Sequence, residues 1–123
     1  MDMIWPRIFF TAGVALLAAG MVPIPAWAQT HVEMQLRDGG IQPAQITVRR
    51  GENVTIHAVN TGQQVHNLVI PDFYVFSNNL RAGEGVTVQF RPDKVGRFRY
   101  YSDRSVNGGR APEPGMTGTL VVQ

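Results

Sequence analysis

Hydrophobic and polar residues alternate with a period of two over several short segments of this chain. The alternation is clearest in residues 32–36, 46–48, 54–58, 86–90 and 98–102, and a further apolar segment covers residues 117–122. Turn residues such as Asp38-Gly39-Gly40, Asn60-Thr61-Gly62 and Pro71-Asp72 separate these segments. Short period-2 segments between turns are typical of β-strands with one buried face. Since no helical pattern follows residue 28, the sequence predicts a single all-β sandwich domain.

Two stretches lack this alternation, residues 71–80 and residues 103–114. Residues 103–114 are rich in polar residues, Pro and Gly, and residues 71–80 begin with Pro71-Asp72 and include Ser77-Asn78-Asn79. We predict that they are irregular loops near the ends of the sandwich, where long loops usually carry function. Within the strands, Met34 is in phase with Val32 and Leu36 and is predicted to lie in the core.

The first 28 residues have the features of a secretory signal peptide. Arg7 precedes an apolar stretch at residues 8–22, and Ala26-Trp27-Ala28 has the small-x-small pattern of a cleavage site before Gln29. The apolar stretch is shorter than the roughly 20 residues that a membrane-spanning helix needs. We therefore predict a cleaved signal at residues 1–28, a domain at residues 29–123 and a periplasmic location, with an uncleaved anchor as the alternative.

The composition narrows the classes of function. The chain has no cysteine, so the domain must be stable without disulfide bonds. Its formal net charge is only +2, and together with predicted export this gives no reason to expect a nucleic-acid partner. No nucleophile turn, phosphate-binding loop, paired histidine motif or dinucleotide fingerprint is present, so the sequence does not predict an enzyme.

The order and spacing of several motifs are similar to those of the cupredoxins. The motifs are Ile41-x-Pro43-x-x-Ile46-x-Val48-x-x-Gly51-Glu52-x-Val54-Thr55, then Asn60 and His66-Asn67, then Phe90-x-Pro92-Asp93-x-x-Gly96, and finally Gly115-Met116-x-Gly118-x-Leu120-x-Val122. Together they cover nearly all of residues 29–123. The resemblance implies a Greek-key β-sandwich of the cupredoxin type.

The same resemblance implies where a copper site would lie. Cupredoxins of this type bind copper through two histidines, a cysteine and a distant methionine. By position, His66 matches the first histidine and Met116 the methionine, whereas Ser102 replaces the cysteine. No histidine lies between Ser102 and Met116, where the second one is expected. A metal site at His66 and Met116 would therefore be reduced, and His66 could instead form hydrogen bonds across the sandwich.

Cupredoxin-like modules that lack the cysteine resemble this chain more than the electron carriers do. This resemblance implies a periplasmic accessory protein that binds or hands on copper or iron, or supports its oxidation, beside a membrane uptake system. Its partner would be a metal permease or a redox protein. Iron prefers oxygen ligands, for which Asp103, Glu113 and Glu84 are the candidates.

The alternative is a metal-free interaction module. Arg99 faces away from the side of its strand that carries Ser102, and Arg104 and Arg110 belong to the predicted 103–114 loop. These arginines would attract an acidic protein partner. A third function, electron transfer by blue copper, is disfavoured because a serine hydroxyl is a poor ligand for a soft metal.

Overall fold

The computed structural model describes residues 29–123, which form nine β-strands and a short 3₁₀ helix. The strands are β1 (Gln29–Arg37), β2 (Gly40–Gln42), β3 (Gln45–Val48), β4 (Asn53–Asn60), β5 (Val69–Ile70), β6 (Val75–Phe76), β7 (Gly85–Phe90), β8 (Gly96–Val106) and β9 (Gly109–Val122). The 3₁₀ helix, Pro71–Phe73, connects β5 to β6. The predicted signal peptide, residues 1–28, lies outside the described residues. Within residues 29–123, no helix has the length and apolar character needed to cross a membrane.

The strands form two sheets. One has the order β2-β1-β4-β7 and the other has the order β3-β9-β8-β5-β6. β1 pairs with β4 and β3 pairs with β9 in parallel, while the other pairs of neighbouring strands are antiparallel. The prediction of a single all-β sandwich is confirmed.

The core lies between the inner faces of the two sheets. The alternating residues of the strands supply it, including Met34, Leu36, Ile56 and Leu120, which are at most 1% exposed. Burial of an aliphatic side chain of this size contributes about 1.5–3 kcal/mol. The predicted core position of Met34 is confirmed. The packed strands also fix the positions of the residues at the end of the sandwich.

The prediction of an irregular loop over residues 103–114 is wrong. β8 and β9 continue beyond the sandwich as a hairpin, in which Asp103 pairs with Pro112 and Val106 pairs with Gly109. The ribbon is exposed on both sides from Arg104 to Arg110. Because it has no buried face, its sequence has no apolar alternation, and the period-2 rule cannot detect it.

A wide bulge separates this hairpin from the sandwich. Tyr101 pairs with Thr117 and Asp103 pairs with Pro112, so Ser102 alone lies opposite residues 113–116 of β9. Bulges redirect side chains and are frequent beside functional sites. Here the bulge directs both Glu113 and Met116 into the protein, where they are buried.

Candidate functional site

His66 lies at the end of the sandwich, and its backbone position is fixed on both sides. Its N–H donates to the carbonyl of Leu80 at 3.1 Å, and the N–H of Leu80 donates to the carbonyl of His66 at 2.7 Å. The preceding loop is held by the buried Asn60, whose amide donates to the carbonyls of Gln64 and Leu80. His66 is only 1% exposed.

Both ring nitrogens of His66 contact carboxylates. Nδ1 is 2.9 Å from Oε2 of Glu113, and Nε2 is 2.8 Å from Oδ1 of Asp38. Burial alone would lower the pKa of His66, but the hydrogen bonds with Glu113 and Asp38 outweigh it and raise the pKa above its ordinary value. The geometry therefore favours an imidazolium that donates to a carboxylate from each side of the ring.

The carboxylate of Asp38 also organises the loop before His66. Asp38 accepts hydrogen bonds from the backbone N–H groups of Gln63 and Gln64, at 2.9 and 3.1 Å. The bond from Gln63 is the largest cause of its lowered pKa, followed by the bond from His66. Asp38 thus remains ionised well into the acidic range and keeps a negative charge beside His66.

Ser102 is joined to the same cluster. Its hydroxyl donates to Oε2 of Glu113 at 2.5 Å and accepts from the backbone N–H of Asn67 at 3.0 Å. Ser102 is fully buried, and Glu113 is 7% exposed. One carboxylate oxygen of Glu113 therefore accepts from both Ser102 and His66, the two positions that the cupredoxin resemblance assigns to copper ligands.

Asn67 connects this cluster to the protein surface. Its side-chain amide donates to Oδ1 of Asp103 at 2.8 Å, and its side-chain oxygen accepts from the backbone N–H of Asp103 at 2.8 Å. Arg110 donates to the same Asp103 oxygen at 2.6 Å, and this bond is the largest cause of the lowered pKa of Asp103. A continuous hydrogen-bonded path thus runs from Asp38, through the buried cluster, to the exposed Arg110.

The bulge that carries Glu113 packs closely on the turn that carries Asp38. Gly115 has a φ of +78°, and a Cβ atom at this position would lie 2.5 Å from the carbonyl oxygen of Gly39. Only glycine allows this approach without strain. Gly115 therefore lets β9 bring Glu113 toward the β1–β2 turn.

The residues at this site do not fit a blue-copper ion. The soft thiolate is replaced by the Ser102 hydroxyl, which is engaged with Glu113, and both nitrogens of His66 are engaged with carboxylates. Met116 is fully buried and supplies the one remaining soft donor of the predicted site. In the side-chain conformations of residues 29–123, no three His, Asp or Glu groups converge as ligands of one metal ion.

The structure also places the other candidate residues. Glu113 and Asp103 join the hydrogen-bonded path, whereas Glu84 accepts from the backbone N–H of Arg81 in a separate turn. Arg99 lies over the ring of Tyr101 at 5.2 Å on the outer face of β8. Arg104 and Arg110 are exposed on the hairpin, where Arg110 donates to Ser105 and Asp103.

Two residues of the cluster were not predicted. The sequence pattern places Asp38 only in a turn, because its contact with His66 joins residues that are 28 positions apart. Asn67 belongs to a motif shared with cupredoxins, and the motif implies no chemical role for it. The sequence predicts Glu113 only as an oxygen ligand, although its position between Ser102 and Met116 is a signal that it lies at this site.

The two packed sheets have the fold of the cupredoxin class. The family model described as "Cupredoxin-like domain" matches residues 8–122, and the chain belongs to that family. No curated protein matches the sequence.

Solved structures with the same fold have low sequence identity to this chain. Dithionite-reduced auracyanin from Roseiflexus castenholzii is 18% identical with a TM-score of 0.60, and the match covers 76% of this chain and 96% of that chain. Auracyanin B is 20% identical with a TM-score of 0.60, covering 84% and 93% of the two chains. The metal-binding domain of the Cu(I)-exporting P-type ATPase of Streptococcus pneumoniae D39, solved with Cu(I), is 15% identical with a TM-score of 0.59, covering 76% and 84%.

Proposed function

We propose that this protein is an exported, non-catalytic cupredoxin-fold module that holds no copper and binds a protein partner through the outer face of its five-stranded sheet. One observation carries the first half of the proposal. Oε2 of Glu113 lies 2.9 Å from Nδ1 of His66 and 2.5 Å from Oγ of Ser102. Hydrogen bonds to Glu113 thus occupy the His66 and Ser102 side chains, which stand at copper-ligand positions of the family.

The outer face of the five-stranded sheet supports the second half. Val69 pairs with Phe76 on one side and with Tyr101 on the other, so these three side chains form a row across the sheet. Val69 is buried at the centre of the row, and Phe76 and Tyr101 supply its accessible surface. Phe76 is 64% exposed although it is a large apolar residue. Arg99 stacks on Tyr101 at the other end of the row. Aromatic and arginine side chains are enriched in protein interfaces.

The charges around this row indicate the chemistry of the partner. Arg97 and Arg99 are exposed on β8, and Arg104 and Arg110 are exposed on the hairpin that continues from it. The carboxylate of Asp103 is bound to Arg110, which leaves the region predominantly positive. An acidic protein surface with an apolar centre fits this arrangement, and salt would weaken the complex.

A depression of about 520 Å³ lies beside the row, between Phe76 and the Asp103–Arg110 pair. Asn67 lines the depression and also donates its backbone N–H to the buried Ser102. The hydrogen-bonded cluster therefore supports the floor of the proposed docking surface. Ser102, at the position of the copper-binding cysteine in cupredoxins, thereby has a structural role in the interaction.

A copper titration tests the loss of the metal site. We expect the wild-type protein to show no intense visible band with Cu(II), and the double variant Ser102→Cys with Glu113→His to gain one. The paired substitutions restore the family's donor types around His66 and Met116. Tight copper binding by the wild type that is lost in His66→Gln would contradict the metal-free function.

A binding assay tests the docking surface. We expect charge reversal by Arg99→Glu, which changes the net charge by as much as Arg37→Glu does, to weaken capture of a partner from a cell-envelope extract. Arg37→Glu is the matched control, because Arg37 is exposed on the four-stranded sheet. Equal loss of capture in both variants would show that net charge, rather than this face, governs binding.

The second candidate is the accessory metal function, in which the protein binds or hands on copper or iron beside a membrane uptake system. It is supported by membership in the cupredoxin-like family and by the burial of His66, Met116 and Glu113 at one end of the sandwich. It requires binding of Cu(I), Cu(II) or Fe(II) that depends on His66 and Met116. The titration above, extended to these ions, separates the two candidates.

A further inference from the structure

A second group of titratable side chains lies on the outer face of the four-stranded sheet. β1 and β4 are parallel neighbours, and Glu33 is directly opposite His57. Oε1 of Glu33 is 2.9 Å from Nδ1 of His57, and Oε2 is 2.5 Å from Nε2 of His31. Two imidazoles thus share one carboxylate, and none of the three residues belongs to the His66 cluster.

The backbone holds these three residues on one face. His31 and Glu33 are two positions apart on β1, so their side chains point the same way. Met34 and Ile56, which alternate with them on the two strands, are buried in the core. The ring of His57 extends toward Gly85 of β7, where a Cβ atom would lie 3.3 Å from Nε2. The absence of a side chain at Gly85 leaves space for the ring.

We propose that His31, Glu33 and His57 form a surface site for a divalent transition-metal ion, with Zn²⁺ as the ion that fits best. Two imidazoles and one carboxylate are a donor set that zinc accepts in proteins, with bonds of about 2.0–2.2 Å. Glu33 is directly opposite His57, and His31 is the diagonal neighbour of His57. Such neighbours on one face of a sheet start about 5–8 Å apart, which these three side chains can span around one ion. The remaining coordination position is open to solvent.

Binding requires a change of side-chain conformation. In the described structure the three groups bind one another in pairs and do not converge on one point. Their side chains are 60%, 66% and 41% exposed for His31, Glu33 and His57, so rotation meets little packing resistance. Glu33 is ionised in this cluster, because the hydrogen bonds from His31 and His57 lower its pKa. The Zn²⁺ ion takes the place of the protons in the hydrogen bonds that join Glu33 to His31 and His57.

Isothermal titration of the purified, tag-free protein with Zn²⁺ tests the site. We expect one Zn²⁺ per chain, and affinity at least about tenfold weaker in His57→Ala and in Glu33→Gln. Mutation of a residue that only supports a metal ligand typically lowers metal affinity roughly 10–100-fold, and loss of a direct ligand should lower it at least as much. Asp93→Asn is the matched control, because Asp93 is an exposed carboxylate outside the group. These variants change exposed side chains, and a thermal melt verifies that each is folded.

Imidazole NMR signals locate the ion independently. We expect Zn²⁺ to shift the ring resonances of His31 and His57 and to leave those of His66 unchanged. Absence of stoichiometric binding, or binding unaffected by His57→Ala and Glu33→Gln, would overturn the proposal. A shift confined to His66 would overturn it as well and would support the accessory metal function instead.

Discussion

Replacement of Glu113 by glutamine removes the negative charge at the centre of the buried cluster and keeps the shape of the side chain. In the wild type, Oε2 of Glu113 accepts hydrogen bonds from Ser102 at 2.5 Å and from His66 at 2.9 Å. The amide oxygen of glutamine can still accept one of these bonds. It cannot stabilise an imidazolium as a carboxylate does.

The expected cost follows from the burial of both partners. His66 is 1% exposed and Glu113 is 7% exposed, so water cannot replace the lost interaction. Removal of one partner of a buried ion pair costs about 3–5 kcal/mol, and a hydrogen bond to a charged group contributes about 1.5–3 kcal/mol. Because glutamine retains part of the hydrogen bonding, we expect Glu113→Gln to lower the free energy of unfolding by about 1.5–3 kcal/mol in mildly acidic solution.

The pH dependence distinguishes this cause from a simple packing defect. The pKa of His66 is raised in the folded protein, so its stabilisation is fully present below the unfolded value of 6.5 and is lost as the pH rises through the folded value. In Glu113→Gln the pKa of His66 moves down. The stability difference between wild type and variant should therefore be largest near pH 5.5 and shrink toward pH 8.5, both being about one to two units from the ordinary value.

Urea denaturation at several pH values between these limits measures the effect. The matched control is Glu33→Gln, which also removes a carboxylate bound to histidine, but on the exposed face of the four-stranded sheet. We expect that control to show a much smaller change. A Glu113→Gln variant with wild-type stability, or with a loss that is the same at every pH, would refute the proposed imidazolium–carboxylate interaction.

Three further substitutions test the packing that supports the cluster. Gly115→Ala should destabilise the protein by about 1–3 kcal/mol, because its Cβ would contact the carbonyl of Gly39 at a positive φ; a midpoint equal to that of wild type in urea would contradict this. Tyr100→Phe should cost about 1 kcal/mol in a thermal melt, since the buried hydroxyl donates to the carbonyl of Pro43 at 2.5 Å, and an unchanged melt would argue against this bond. Ile56→Ala should cost about 2–5 kcal/mol by chemical denaturation, because Ile56 is fully buried in the core. A loss below 1 kcal/mol would mean that the sheets can close the cavity.

The fold could be predicted because strand patterns are local. Residues such as Met34 and Leu36 alternate with polar residues, and this period identifies a strand with one buried face before any partner is known. The absence of cysteine and of a second histidine before Met116 is also read directly from the sequence. The hairpin of residues 104–110 could not be predicted in this way, because neither of its faces is buried and its sequence therefore has no apolar alternation.

The all-β class, the likeness to cupredoxins and the absence of two copper ligands follow from the order of the amino acids alone. The side chains that occupy the place of those ligands are known only from the packed fold. Asp38, His66 and Glu113 come from three separate parts of the chain, and their contacts depend on the β1–β2 turn, the loop after β4 and the bulge in β9. The local alternation of apolar and polar residues does not predict contacts between such distant parts of the chain. The physical reason is that a hydrogen-bonded cluster is defined by distances between atoms, and chain folding sets these distances only when the two sheets are packed.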